Sequence, residues 1–377
     1  LAAAPSAPGP AAARRALPDF PWDRLAPYRR LAEQAAGDAG IVDLSVGTPV
    51  DPVPSVIREA LAAAADSPGY PTTHGTSALR DAAVGWMERC LGVTGVDPSA
   101  VLPTIGSKEL VAWLPTLLGL GAGDTVVLPE AAYPTYAVGA LLAGAEPFAT
   151  DALTAVGPAR VGLVWLNSPA NPTGRVLPVE HLRKVVEWAR ERGAVVASDE
   201  CYIELGWEGP EPVSVLHPDV CGGSHEGLLA VHSLSKRSNF AGYRAGFVSG
   251  DPALVSRLLE VRKHAGMMLP SPVQAAAAAA LRDDAHVTEQ KERYRARRAL
   301  LLGALNAAGF RVDSSEAGLY LWATRDEDCW ETVRSCAERG VLVTPGEFYG
   351  AAGARHVRVA LTATDEAVRR GAEALAV

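Results

Sequence analysis

The chain has 377 residues, 48% of them hydrophobic, with a formal charge of -8 and a pI near 5.6. That length can bury the core of one large and one smaller domain. The acidic balance excludes nucleic acid as the main partner, because a duplex binder carries a basic surface. No apolar run is long enough to span a bilayer, so the sequence predicts a soluble protein without a membrane partner. Cys90, Cys201, Cys221, Cys329 and Cys336 are scattered, with no Cys-x-x-Cys pair, and they predict reduced thiols in a cytoplasmic protein. The histidines form no ligand motif, and no metal is expected.

Residues 1–17 are rich in Ala and Pro and carry Arg14-Arg15 after the apolar run. A secretory signal has its charge before that run, so this stretch reads as a disordered extension. Residues 18–50 read as an N-terminal arm that also belongs to the smaller domain, with a helix from Leu25 to Ala36. A short strand from Ile41 ends in the turn residues Gly47-Thr48-Pro49. The large domain is expected over 51–285. It opens with a helix from Asp51 to Asp66 and continues through Tyr70-Pro71, where by residue type alone Tyr70 is a turn aromatic packed on a core.

From Val101 apolar strands alternate with amphipathic helices, the pattern of a mostly parallel sheet covered on both faces. The first strand leads through Gly106-Ser107-Lys108 into a helix expected over Leu110–Leu120. Unpaired NH groups and the helix dipole favour an anion at such a start, so these three residues read as one wall of a phosphate site. Strands follow at Thr125–Leu128 and Val161–Leu166. The first runs into Tyr133-Pro134 and the second into Asn167-Ser168-Pro169-Ala170-Asn171-Pro172-Thr173-Gly174, which by composition alone is a turn. A helix opened by Pro178 presents Leu182, Val185, Val186 and Ala189 on one face and stops at Gly193. The strand Ala194–Ser198 then delivers Asp199-Glu200-Cys201-Tyr202 to its carboxyl end, where open parallel sheets collect ligands. Cys201 reads as a packing residue.

The strand Leu228–His232 feeds Ser233-Leu234-Ser235-Lys236-Arg237, with Arg244 eight residues beyond the lysine. Ser-x-Ser-Lys by itself is a common surface-loop sequence. Ser233, Ser235 and Arg244 together offer hydroxyl donors and a planar charged fork, which suit a phosphate dianion. Cationic or desolvating surroundings lower a lysine pKa and ready the amine for imine formation. An imine-forming lysine beside a phosphate cradle points to pyridoxal 5'-phosphate. With that cofactor, an aspartate at position 199 would face the pyridine nitrogen and keep it protonated. Further helices are expected over Asp251–Lys263, Gln274–Arg282 and His286–Ala308, the last with no function assigned. Residues 286–377 read as a small α+β domain, in which His356–Leu361 alternates as a strand and offers Arg358 as a clamp for an α-carboxylate.

These motifs together resemble the class I and II aminotransferases, the fold type I pyridoxal phosphate enzymes. The resemblance runs from about Phe20 to the C terminus and rests on Tyr70, Gly106, Asn171, Asp199, Tyr202, Lys236, Arg244 and Arg358 in the family's order. It implies an α/β fold, with a mostly parallel large-domain sheet covered by helices and a smaller α+β domain. It implies that Lys236 carries the cofactor and moves the substrate proton. Asn171 and Tyr202 would hydrogen-bond the cofactor's phenolic oxygen, and Tyr133 would stack on its ring. Gly47 would line the substrate carboxylate beside Asn171 and Arg358. Tyr70 would reach the phosphate in a neighbouring subunit, which makes the enzyme a homodimer with a shared site. Ser45–Pro52, Gly106–Leu110, Ser235–Asn239 and Lys263–Met268 look like actinobacterial N-succinyldiaminopimelate aminotransferases of lysine biosynthesis. That likeness implies glutamate as donor and N-succinyl-2-amino-6-oxopimelate as acceptor. A transaminase for another amino acid, or a carbon-sulfur lyase, would use the same cofactor residues.

Overall fold

Seven strands form the central sheet. The computed structural model describes residues 17–376, so the extension expected over 1–17 lies outside the described residues except for Leu17. In chain order the strands are β1 (Val42–Asp43), β2 (Val101–Ile105), β3 (Thr125–Leu128), β4 (Glu146–Ala149), β5 (Val161–Asn167), β6 (Val195–Asp199), β7 (Leu228–Ser233) and β8 (Ala245–Gly250). Those of the second half are β9 (Arg311–Val312), β10 (Tyr320–Thr324), β11 (Val341–Leu342), β12 (Thr344–Pro345) and β13 (Val357–Ala360). The large sheet has the order β2-β8-β7-β6-β5-β3-β4 and is parallel except for β8, which runs against both of its neighbours. Strands β5, β6 and β7 are buried along nearly their whole length, as expected for a sheet with helices on both faces.

Two apolar layers flank this sheet. One includes Trp86, Val186, Phe247 and the alanines of the helix Ser271–Arg282; the other includes Leu114, Tyr136, Trp165 and Leu258. A third core joins both ends of the chain: Leu25, Val42 and Leu44 pack with Tyr294, Leu321, Val333, Val359 and Leu375. Strand β1 pairs in parallel with β11, while β12, β13, β10 and β9 make a four-stranded antiparallel sheet.

Two elements differ from expectation in instructive ways. The helix expected over Leu110–Leu120 runs over Ser107–Leu117. It starts early because Gly106, at φ 74°, turns the chain straight out of β2 into the helix. The other difference is β8, for which the sequence raised no strand expectation and which is a fully buried strand. Its Gly246 lies so close to the His232 carbonyl and the Ser107 amide that a Cβ would meet them at 2.7 and 3.2 Å.

The helix Ser107–Leu117 is anchored from below. Glu109 accepts both Arg262 Nη1 at 2.8 Å and Nη2 at 3.0 Å, and also the Ile105 amide at 3.2 Å. Arg262 is fully buried, so Glu109 is its charge partner and the fork is bidentate. Removing one member of a buried pair leaves the other uncompensated, at a cost of roughly 3–5 kcal/mol. Glu109→Ala is therefore expected to lower stability by about 3 kcal/mol or more in urea unfolding, whereas a surface pair such as Lys263–Glu260 should give no measurable change when Glu260 is replaced.

Candidate active site

The carboxyl ends of β5, β6 and β7 meet at one place, and each delivers a polar side chain there. Strand β5 ends in Asn167, whose Nδ2 donates to the Asp199 carbonyl at 2.9 Å and to the Pro169 carbonyl at 3.1 Å. Its Oδ1 accepts the Asn171 amide at 2.8 Å. Asn167 therefore fixes the Asn171 loop to the end of β6. Sequence reasoning placed it in the motif without giving it a role.

Asp199 is buried, and burial pushes its carboxyl above the usual value, opposed by hydrogen bonds from Cys201 and Tyr136. Tyr136 Oη donates to Oδ2 at 2.8 Å and the Cys201 amide to Oδ1 at 3.2 Å. Tyr136 lies flat on Trp165, with centroids 4.8 Å apart, so the hydroxyl is aimed by packing. Among the described residues Asp199 has no cation within ion-pair distance, which leaves it suited to a positively charged nitrogen. Cys201 Sγ donates to Ser107 Oγ at 3.3 Å, and burial raises its thiol well above the usual range. It stays protonated and packs.

Lys236 sits in the short helix Leu234–Arg237, capped by Ser233, whose Oγ accepts the Ser235 amide at 3.2 Å. Its Nζ donates to the Gly47 carbonyl. Burial lowers its pKa, and the Arg358 and Arg244 charges act the same way, against an opposite pull from Tyr320 and Cys201. Arg244 has a left-handed backbone, φ 58°, and its Nη1 donates to the Ala241 carbonyl at 2.8 Å. Its guanidinium lies directly over Gly106, where any side chain would strike it. The helix start at Gly106-Ser107-Lys108 carries no side-chain cap. Arg244 and this helix start therefore converge, as a phosphate cradle requires. Lys108 Nζ also lies 5.7 Å from the Phe20 ring centroid in the arm.

Arg358, only 3% exposed, completes the pocket. Its Nη1 donates to Asn171 Oδ1 at 2.9 Å and its Nη2 to the Ser45 carbonyl at 2.8 Å. Its Nε is buried without a partner. The guanidinium lies 3.9 Å from the Tyr320 centroid and 4.9 Å from that of Tyr349, a sandwich that holds the fork flat. Tyr320 was missed in the sequence, where it is one aromatic in a strand. Its hydroxyl is 3.2 Å from that of Tyr202, and its ring also fills the space beside Gly47. Although burial opposes it, the Arg358 and Lys236 charges pull Tyr320 below the usual phenol value, while burial drives Tyr202 up. Tyr133 stands edge-on to Tyr136, and burial pushes its phenol up to about 12.

The fold thus brings together Gly47, Gly106, Ser107, Tyr133, Asn171, Asp199, Tyr202, Ser233, Ser235, Lys236, Arg244 and Arg358. Tyr70 is not among them. It is 97% exposed, so it packs on no core of its own chain. The residues present fit pyridoxal phosphate, with a buried carboxylate awaiting a cation, a glycine floor under an arginine, and a lysine amine whose proton is destabilised. Arg262 and Lys263, near the end of the helix Pro252–Ala265, are engaged with their own partners: Arg262 with Glu109, and Lys263 with Glu260 at 2.7 Å.

Comparison with known proteins agrees with this geometry. The family model described as aminotransferase class I and II matches residues 39–375. A probable aminotransferase of Mycobacterium tuberculosis is 64% identical, over 98% of this chain and 87% of its own length. The 4-dedimethylamino-4-oxo-anhydrotetracycline transaminase of Streptomyces rimosus is 61% identical, over 96% and 99%. A solved structure of a probable N-succinyldiaminopimelate aminotransferase from Thermus thermophilus superposes with a TM-score of 0.85 at 29% identity, covering 95% of this chain and 99% of that one.

The lowered lysine pKa has a signed consequence. Between the folded value and 10.5, the ordinary value for lysine, the unfolded chain binds the extra proton, so the contribution of Lys236 to stability rises with pH across that window. Cofactor-free Lys236→Met should therefore be more stable than the parent at neutral pH, with the gap closing as pH climbs toward 10.5. Thermal melts over that range check it, and a gap that is constant with pH contradicts it.

Proposed function

Because the chain belongs to the class I and II aminotransferases, we propose that it moves an amino group from glutamate to N-succinyl-2-amino-6-oxopimelate, forming N-succinyl-LL-2,6-diaminopimelate. The observation that carries the amino-acid part of this reading is the company of Lys236 and Arg358. A lysine amine with a destabilised proton shares one pocket with a flat, buried guanidinium whose Nε lacks a partner. Bound pyridoxal 5'-phosphate supplies the electron-accepting ring. Arg244, Ser233, Ser235 and the helix start at Gly106-Ser107-Lys108 would hold its phosphate, and Asp199 would keep its nitrogen protonated. Tyr133 would stack on the ring, while Asn171 and Tyr202 would supply hydrogen bonds to its phenolic oxygen.

A substrate carboxylate would take the place of Asn171 Oδ1 and the Ser45 carbonyl on Arg358, beside the Gly47 backbone. That would fix the α-carbon in front of Lys236, whose amine would take the α-proton and pass it to the cofactor's C4' carbon. The single site serves donor and acceptor in turn, so ping-pong kinetics are expected. Tyr70 has its ring in solvent, which supports a homodimer in which it reaches the partner's phosphate.

The acceptor is supported by the likeness to the Thermus thermophilus protein. A bulkier, fused-ring ketone is the second reading, favoured by the 61% identity to the Streptomyces rimosus transaminase and by a rim on which Val46 and Val50 are exposed next to Gly47. Purified enzyme supplied with glutamate and a panel of oxo acids and cyclic ketones, with 2-oxoglutarate followed, separates the two. Pyruvate and ammonia released from cystathionine would mark a carbon-sulfur lyase instead. Arg358→Lys loses the fork and should cut kcat/KM for glutamate by about 100-fold or more, with far smaller losses for plain amines. Equal losses for both classes would remove Arg358 from the clamp.

A further inference from the structure

The long helix Ala285–Ala307 carries a buried polar face that the functional reading leaves unused. His286, Gln290, Tyr294 and Arg297 are all buried and follow one another at intervals of four, four and three, so they lie along one stripe. Each turns toward a loop of the active site or the segment beside it. His286 Nε2 meets Ser238 Oγ at 2.8 Å, and its Nδ1 meets Asp283 Oδ2 at 2.7 Å. Tyr294 Oη is 3.5 Å from Asn239 Oδ1. Arg297 grips Asp51 with two bonds, of 2.8 and 2.6 Å, and Asp365 with a third of 2.6 Å. Gln290 reaches both sides, accepting Asn239 Nδ2 at 2.9 Å through Oε1 and donating through Nε2 to Asp51 Oδ2 at 2.8 Å.

We propose that Gln290 is a positioning residue that locks the loop bearing Lys236 to the loop bearing Gly47. This rests on the reading above, in which Lys236 and Arg358 are the working groups. The two loops touch in front and behind, and Asn239 Nδ2 also reaches the Pro52 carbonyl directly at 3.3 Å. In front, Lys236 Nζ donates to the Gly47 carbonyl, and behind, Asn239 and Asp51 meet on Gln290. The front contact is given up whenever the lysine amine serves the reaction, and the bond from Arg358 to Ser45 is given up whenever a carboxylate arrives. The rear contact is untouched by either event, so it holds the two walls in register through turnover.

Only an amide meets both demands. Asp51 is paired with Arg297 and can only accept, so Gln290 must turn its NH2 toward Asp51 and its oxygen toward Asn239. Leucine offers neither group, and glutamate cannot donate. Asn239 has φ 49°, a left-handed backbone rare outside glycine, and its side-chain bonds to Gln290 and the Pro52 carbonyl hold that turn in place.

The test uses Gln290→Leu and Asn239→Gly, the second keeping the left-handed turn while removing the same link from the other end together with the direct bond to Pro52. In the holoenzyme each is expected to lower kcat/KM for glutamate by about tenfold, the scale of one buried hydrogen bond left unmade, and to move the pH midpoint of the bound cofactor's absorbance. The double variant should be no worse than Asn239→Gly alone, because that change already removes the link that Gln290 makes. Unchanged kcat/KM and an unchanged absorbance midpoint, whatever happens to Tm, would overturn the proposal, and so would fully multiplying losses. In cofactor-free Gln290→Leu, amide exchange should quicken in 45–52 and 237–241 together, and faster exchange in the helix alone would also overturn it. Parent protein without transaminase activity would count against the functional reading, while the exchange experiment still decides the role of Gln290.

Discussion

The site depends on loosening one lysine's hold on its proton in a pocket that also holds two arginines. Burial and the positive charges of Arg244 and Arg358 act in the same direction on Lys236. Each arginine is itself placed by a structural device. Arg244 occupies a left-handed turn and is accommodated because position 106 has no side chain, and Arg358 is pressed between two tyrosine rings. The helix start that faces Arg244 is held in turn by the buried Glu109–Arg262 pair. A chain of contacts thus links a charge pair under the sheet to the protonation of an amine above it.

The residues proposed to do the chemistry were mostly visible as sequence motifs, and those that aim them were mostly not. Lys236, Asp199, Asn171 and Arg358 stand in short motifs of unusual composition, and a motif survives without knowledge of the fold. Tyr136, Tyr320 and Gln290 have ordinary neighbours, and their meaning lies in what they touch across tens or hundreds of residues. Tyr320 meets Tyr202 across the large and small sheets, a contact that no local periodicity encodes. Strand β8 was illegible for a related reason. Its glycines argue for a loop on propensity, yet the sheet demands them, because Gly246 lies against β7 and the helix start at Ser107.

The same distinction bears on substrate choice. Groups that read an α-amino acid are near the chemistry and belong to the pocket itself. Beside Gly47, Val46 and Val50 are exposed, while Arg262 is withdrawn into the interior. A pocket built this way fixes the reacting end tightly and leaves the distal end to a small number of side chains. Relatives of similar overall identity can then bear different substrate names.

The central claim is that the cofactor is carried on Lys236. Reduction of the holoenzyme with borohydride, proteolysis and mass spectrometry locate a pyridoxyl adduct directly. A single modified peptide is expected, with the added mass on Lys236. An adduct on any other lysine, or none on a protein that still transaminates, would contradict it.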